Sequence, residues 1–120
     1  MYLITKQFHF SAAHRLDHLP STHPCARDHG HNYLVELVLG AGALDERGFV
    51  RDYTELAAFE SLLDHELDHR HLNDVLAFPP TAENIASYLY RRSKECWPEV
   101  VAVRVGETPR TWAEFREADA

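Results

Sequence analysis

Apolar and polar residues alternate from the start of the chain. Tyr2, Ile4, Phe8 and Phe10 fall on one side of an extended backbone, and Thr5, Gln7 and His9 on the other. This predicts a strand over 2–10. Residues 11–31 carry no such pattern and include Pro20 and Pro24, so they read as a long loop. Long loops in small domains are usually functional or disordered. Alternation returns in NYLVELVL, residues 32–39, where Tyr33, Val35, Leu37 and Leu39 share a side and predict a second strand. GAGALDERG follows as a turn.

The period then changes. Asp52 is a helix N-cap with Glu55 three residues on. Leu56, Phe59, Leu63 and Leu67 trace an apolar stripe at helical spacing, with Leu62 on its flank. A helix is expected from about Tyr53 to the Asp68–His71 region. Pro79-Pro80 interrupts the chain, and Thr81 caps a second helix. Ala82, Ile85, Ala86, Leu89 and Cys96 line its inner face, which assigns Cys96 to packing, and Pro98 follows its end. VVAVRVGE, residues 100–107, reads as a third strand, and TWAEFREADA as a short strand or a frayed end. The order predicts the α+β class, an antiparallel sheet covered on one face by two helices. The other face needs cover, and oligomerisation is one way to supply it.

Composition narrows the function classes. The chain has 120 residues, read as a single domain over 1–120. With 45% hydrophobic and 26% charged residues it reads as soluble and globular. A net charge of −7 argues against coating nucleic acid. No apolar run has the length of a membrane span, and MYLITKQFHF starts like a strand, not a signal peptide. Two cysteines, Cys25 and Cys96, make no disulfide framework, so a reducing cytoplasmic setting is expected.

The unusual feature is nine histidines, most of them in two clusters. The first is His29-Gly30-His31 with His14. Residues two apart in an extended backbone point the same way, so the pair can close on one ion, with Gly30 keeping the space between them free. If the strands flanking the long loop form a hairpin, His14 joins them. Three histidines on zinc leave the open position that catalysis requires. An H-x-H pair alone reads more readily as a polar turn, by about two to one; the third histidine and nearby Cys25 favour a metal. Cys25 is compatible with two roles: a fourth ligand in a closed structural site, or a free thiol acting as base or nucleophile.

The second cluster, HELDHRHLN (65–73), contains His65-Glu66-Leu67-Asp68-His69, a formal match to the zinc-protease signature H-E-x-x-H. On the helical wheel His65 and His69 lie opposite the apolar stripe, in a chain too short for that enzyme class, so the match is accidental. Asp68 can orient His69 and raise its basicity, or the two can be a solvated helix end. Glu107, at the end of strand three, is either surface or a carboxylate that grips a ligand offering two adjacent N–H donors. Glu83 favours a helix N-terminus.

Together these segments resemble the 6-pyruvoyltetrahydropterin synthase family, in particular its bacterial branch, the 6-carboxy-5,6,7,8-tetrahydropterin synthases of queuosine biosynthesis. FSAAHRL (10–16), CARDHGHNY (25–33), V-x-D-Y (50–53), LDHRHLN (67–73), PTAEN (80–84) and VRVGET (103–108) occur in the family's order. The resemblance implies a tunnelling fold assembled as a homo-oligomeric barrel, a trimer or a hexamer, with sites at subunit interfaces. It implies that His14, His29 and His31 bind catalytic zinc and that Cys25 transfers protons without ligating it. Asp68 and His69 would complete the relay from a neighbouring subunit. Glu107 would anchor the pterin ring, with Thr81 assisting; Arg15 and Arg27 are candidate triphosphate contacts. The implied substrate is 7,8-dihydroneopterin triphosphate, and the implied products are the 6-carboxy pterin, acetaldehyde and triphosphate. Only Ala26, Arg27 and Asp28 separate Cys25 from His29, a spacing similar to the carboxy branch. The family's common lysine after V-x-D-Y is absent; Ala57 stands there. The alternatives are a pyruvoyl synthase, which stops after losing triphosphate, and a non-catalytic pterin-binding homologue.

Overall fold

The alternation at the N-terminus builds the longest pairing in the molecule. In the computed structural model, which describes residues 1–117, β1 (Tyr2–His14) and β2 (His29–Ala41) pair antiparallel from Tyr2↔Ala41 to His14↔His29 with no slip. Because side chains alternate along each strand, this register puts Phe8, Phe10 and Ala12 on the same buried face as Tyr33, Val35, Leu37 and Leu39. β4 (Val100–Thr108) lies against β2, and β5 (Thr111–Arg116) against β4, both antiparallel. A two-residue strand, β3 (Arg70–His71), adds to the other edge, parallel to β1. The sheet order is β3-β1-β2-β4-β5.

The helical segments cover the apolar face. Asp52 accepts the N–H of Thr54 and starts a 3-10 turn, Tyr53–Leu56, that runs into α1 (Ala57–Glu66). Leu56, Phe59, Leu63 and Leu67 are all buried, as their spacing predicts. A short α2 (Leu72–Val75) follows β3. Thr81 accepts the N–H of Asn84 and caps α3 (Ala82–Cys96), which buries Ala82, Ile85, Ala86 and Leu89, together with Tyr90 and Ser93. Phe59 joins the layers: its ring lies 4.9 Å from Phe8 and 6.4 Å from Trp97. Each fully buried leucine contributes roughly 2 kcal/mol of transfer free energy.

Three expectations need correction. The loop expected over 11–31 is shorter, because β1 continues to His14 and β2 begins at His29. The first helix ends at Glu66, short of the expected region. Cys96 is exposed and does not pack in the core. The helix terminates there, Ser93 takes the last inward position, and the chain turns so that Trp97 fills the space beyond. The last expected segment divides: β5 forms, and residues 118–120 lie outside the described ones.

The opposite face carries a polar ladder. Gln7 meets Glu36, which pairs with Arg104; Arg104 also meets Glu114 at 3.6 Å, and Glu114 meets Arg116 at 2.8 Å. On this face Trp112 lies flat over Gly106, where a Cβ would come within 3.0 Å of three indole carbons, so only glycine permits the contact. No helix among the described residues is long and apolar enough to cross a membrane.

Candidate metal centre

The core ladder between β1 and β2 becomes polar at its open end. Phe10 and Tyr33 stack with ring centroids 4.6 Å apart. The next inward pairs are Ala12↔His31 and His14↔His29. His29, His31 and Tyr33 share one face of β2, so the hairpin brings the three imidazoles together. Their centroids lie 4.5 to 5.1 Å apart, and one ring nitrogen from each lies within 4.8 Å of the others. Among the described residues this is the one such group.

Backbone carbonyls orient two of the rings. His14 Nδ1 lies 2.7 Å from the Pro80 carbonyl, and His29 Nδ1 lies 2.7 Å from the Arg27 carbonyl. A carbonyl can only accept, so each Nδ1 carries the proton and each Nε2 offers a lone pair. Those two Nε2 atoms face each other at 2.9 Å. Two lone pairs that close repel unless a cation or a proton lies between them. His31 Nε2 is buried with no hydrogen-bond partner. Burial pushes the pKa of His14 down to about 4 and lowers that of His31, which keeps both rings neutral near pH 7. A convergent set of three ring nitrogens, two of them on rings oriented by backbone carbonyls, fits a divalent metal.

Glu107, near the end of β4, enters the same space. Its Oε2 lies 3.2 Å from His31 Nε2 and 3.5 Å from His14 Nε2. Burial, with this carboxylate nearby, pushes the Tyr33 phenol far up, so Tyr33 stays neutral; its oxygen lies 3.2 Å from His14 Nδ1.

Cys25 sits in a single 3-10 turn, Pro24–Ala26, and is half-buried. His23 Nδ1 accepts the Cys25 N–H at 3.0 Å, and the Cys25 carbonyl accepts the Leu16 N–H at 2.8 Å, which pins the loop to the end of β1. The thiol does not belong to the convergent nitrogen group. It shares with His29, His31 and Glu107 a cavity of about 430 Å³, also lined by Pro24, Thr108 and Thr111. A second cavity of about 330 Å³ is also lined by Glu107 and Thr111, together with Ala82 and Glu83 at the start of α3.

The second histidine cluster disperses. α1 ends before His69, so His65 and His69 do not share a helix face; His65 is exposed, and its Nδ1 bonds the Ser61 carbonyl at 2.7 Å. Asp68 accepts the Ser11 N–H at 2.8 Å, and the His69 N–H donates to the Ser11 carbonyl at 2.6 Å. These bonds hold His69 at φ 58°, a left-handed conformation rare for a residue with a Cβ. Its ring is 83% exposed, 3.5 Å from Asp68 Oδ2. His69 lines a third cavity, of about 540 Å³, with Ser11, Gly30, His31 and Asn32; Cys25 is not among its lining residues.

Other expected residues are placed less centrally. The Thr81 hydroxyl is used as a helix cap. Arg15 is held by Asp17 and Asp28, and Arg27 is exposed. Gly30 does not make room for the metal: a Cβ there would meet only the Ala12 carbonyl at 3.6 Å. Tyr33, the carbonyls of Pro80 and Arg27, and the hydroxyls of Thr108 and Thr111 went unrecognised in the sequence. Tyr33 alone carried a signal, being in phase with His29 and His31.

Residues 3–118 match the family model described as 6-pyruvoyl tetrahydropterin synthase. The chain is 34% identical over 122 residues to the 6-carboxy-5,6,7,8-tetrahydropterin synthase of Synechocystis sp., covering 96% of this chain and 93% of that one. It is 32% identical over 126 residues to the Bacillus subtilis protein of the same name, covering 94% and 84%. The solved Caenorhabditis elegans 6-pyruvoyl tetrahydropterin synthase superposes with a TM-score of 0.85 at 27% identity, over 98% of this chain and 96% of that one. The fold is the tunnelling fold, and this chain belongs to the 6-pyruvoyl tetrahydropterin synthase family.

Proposed function

We propose that this protein is a zinc-dependent lyase of the 6-carboxytetrahydropterin synthase type. It converts 7,8-dihydroneopterin triphosphate, with one water, to 6-carboxy-5,6,7,8-tetrahydropterin, acetaldehyde and triphosphate. One observation carries the reading: three imidazoles converge, and two of them, His29 and His31, share one cavity with a free thiol and the Glu107 carboxylate. The names of the bacterial relatives and the three-residue spacing between Cys25 and His29 favour the carboxy product.

His14, His29 and His31 would hold the ion. Zinc bound there supplies Lewis acidity at an open coordination position. Glu107 accepts the paired N–H donors of the 2-amino-4-oxo pyrimidine ring and so orients the substrate's side chain toward the histidines. Cys25, in the wall beside them, takes a side-chain proton as general base. His69, with Asp68 at its ring, moves protons on the opposite side of the substrate. Within one chain His69 faces a different cavity from Cys25, which suits its delivery from a neighbouring copy in a cytoplasmic homotrimer or hexamer. Thr81 contributes through the loop it caps, next to Pro80, whose carbonyl orients His14. The product suits a deazapurine pathway such as that of queuosine.

Incubation of the zinc-loaded protein with dihydroneopterin triphosphate tests this directly. Acetaldehyde release supports the carboxy reading; a pyruvoyl pterin without acetaldehyde makes the protein the sister enzyme; pterin binding without turnover makes it a binding protein.

A further inference from the structure

Of the residues the mechanism uses, Cys25 alone lies in the loop between β1 and β2. Its place is set through its backbone. The Cys25 carbonyl accepts the Leu16 N–H at 2.8 Å, and the Cys25 N–H donates to His23 Nδ1 at 3.0 Å. With both backbone groups tied, the half-buried side chain keeps only its few χ1 rotamers in the cavity wall it shares with His29, His31 and Glu107.

Two imidazoles of opposite sense hold this turn, one at each end. At the far end His29 Nδ1 donates to the Arg27 carbonyl at 2.7 Å. At the start His23 is the N-cap, extended at φ −74° and ψ 135°, and its ring accepts. A backbone amide can only donate, so His23 Nδ1 carries a lone pair, Nε2 carries the proton, and the ring is neutral. Histidine is not a usual N-cap; Ser, Asn and Asp supply the same acceptor. Asp would bring a negative charge two residues from the thiol, and a neighbouring carboxylate disfavours a thiolate. His23 caps the turn without that charge.

We infer that His23 is a positioning residue for Cys25: as a neutral acceptor it caps the turn and keeps the thiol in the wall of the metal cavity. This rests on the role proposed for Cys25 above and adds the residue that holds it there. A base must stay within hydrogen-bond reach of the proton it takes, so a displaced thiol slows the chemical step more than it weakens substrate binding.

The test uses the zinc-loaded protein carrying Cys96→Ser, so that Cys25 is its single thiol. His23→Ala, His23→Asn and His23→Asp are compared with the His23 protein. Three quantities are read: kcat and KM on dihydroneopterin triphosphate, the rate of Cys25 alkylation by iodoacetamide, and zinc per protomer. His23→Ala removes the cap. Its kcat should fall about five- to tenfold, its KM should stay within about twofold, and its thiol should alkylate faster. His23→Asn restores a neutral cap and should return kcat and alkylation to within about twofold of the His23 protein. His23→Asp caps with a charge and should alkylate more slowly than the His23 protein. All three should retain zinc. Unchanged kcat and alkylation in His23→Ala overturn the inference. So does zinc lost with the ring, which would make the cap a support of His29. A His23 protein without turnover overturns the role proposed for Cys25, while the alkylation rates still decide whether His23 holds the thiol.

Discussion

His14 and His29 lie fifteen residues apart in the chain, yet their Nε2 atoms face each other at 2.9 Å, each ring held from behind by a backbone carbonyl. The hairpin register makes this contact: the two residues are its last cross-strand pair. The candidate metal centre is therefore the continuation of the hydrophobic core by other side chains.

That relationship predicts the outcome of ligand removal. His14→Ala, His29→Ala and His31→Ala should each lower zinc occupancy by at least about tenfold, measured as zinc per protomer by elemental analysis. His65→Ala should retain full occupancy, since α1 ends before its partner in the H-E-x-x-H match. Loss of zinc in His65→Ala alone would relocate the site.

Cys25 stands outside the nitrogen group but inside its cavity. Cys25→Ala should reduce turnover by about a hundredfold or more while zinc remains bound. Zinc lost together with the thiol would make the site a closed structural one.

Burial of His14 makes the metal-free protein acid-sensitive. Its pKa falls from 6.5 to about 4 on folding, so between those values the unfolded chain binds the extra proton and stability declines as pH falls. The contribution is present above about pH 6.5 and is lost towards pH 4, with an upper bound of about 3 kcal/mol. Urea unfolding of the metal-free protein at several pH values measures it, and His14→Gln should flatten that part of the profile.

His69 occupies a backbone conformation that suits glycine, and its ring is largely in solvent. His69→Gly should raise stability by about 1 kcal/mol and lower turnover, a split visible by pairing denaturation with kinetics. A destabilised variant would mean that the ring contributes packing the isolated chain does not display.

The strands and helices were legible because their apolar residues repeat at periods of two and 3.6. The ends of β1 and β2 were not: Ser11, Ala12 and Ala13 are too small, and the HGH segment too polar, to register as alternation. β3 was invisible because its pairing is made by two backbone registers with no apolar signature. The H-x-H phase and the position of His14 pointed to the three histidines that the structure brings together. The closeness of Glu107 to His31 depends on how β4 pairs with β2, which no local pattern encodes. Cys96 misled because it is the last residue of α3: the wheel puts it inward, but Ser93 is the last buried helical position and Trp97, just past the end, fills the space beyond.

The proposed reaction is tested by the ratio of acetaldehyde to triphosphate released from dihydroneopterin triphosphate by the zinc-loaded protein. A carboxy-type synthase releases about one acetaldehyde for each triphosphate, and Cys25→Ala should lose both. Triphosphate released without acetaldehyde, or neither product from a protein that binds zinc and pterin, would contradict it.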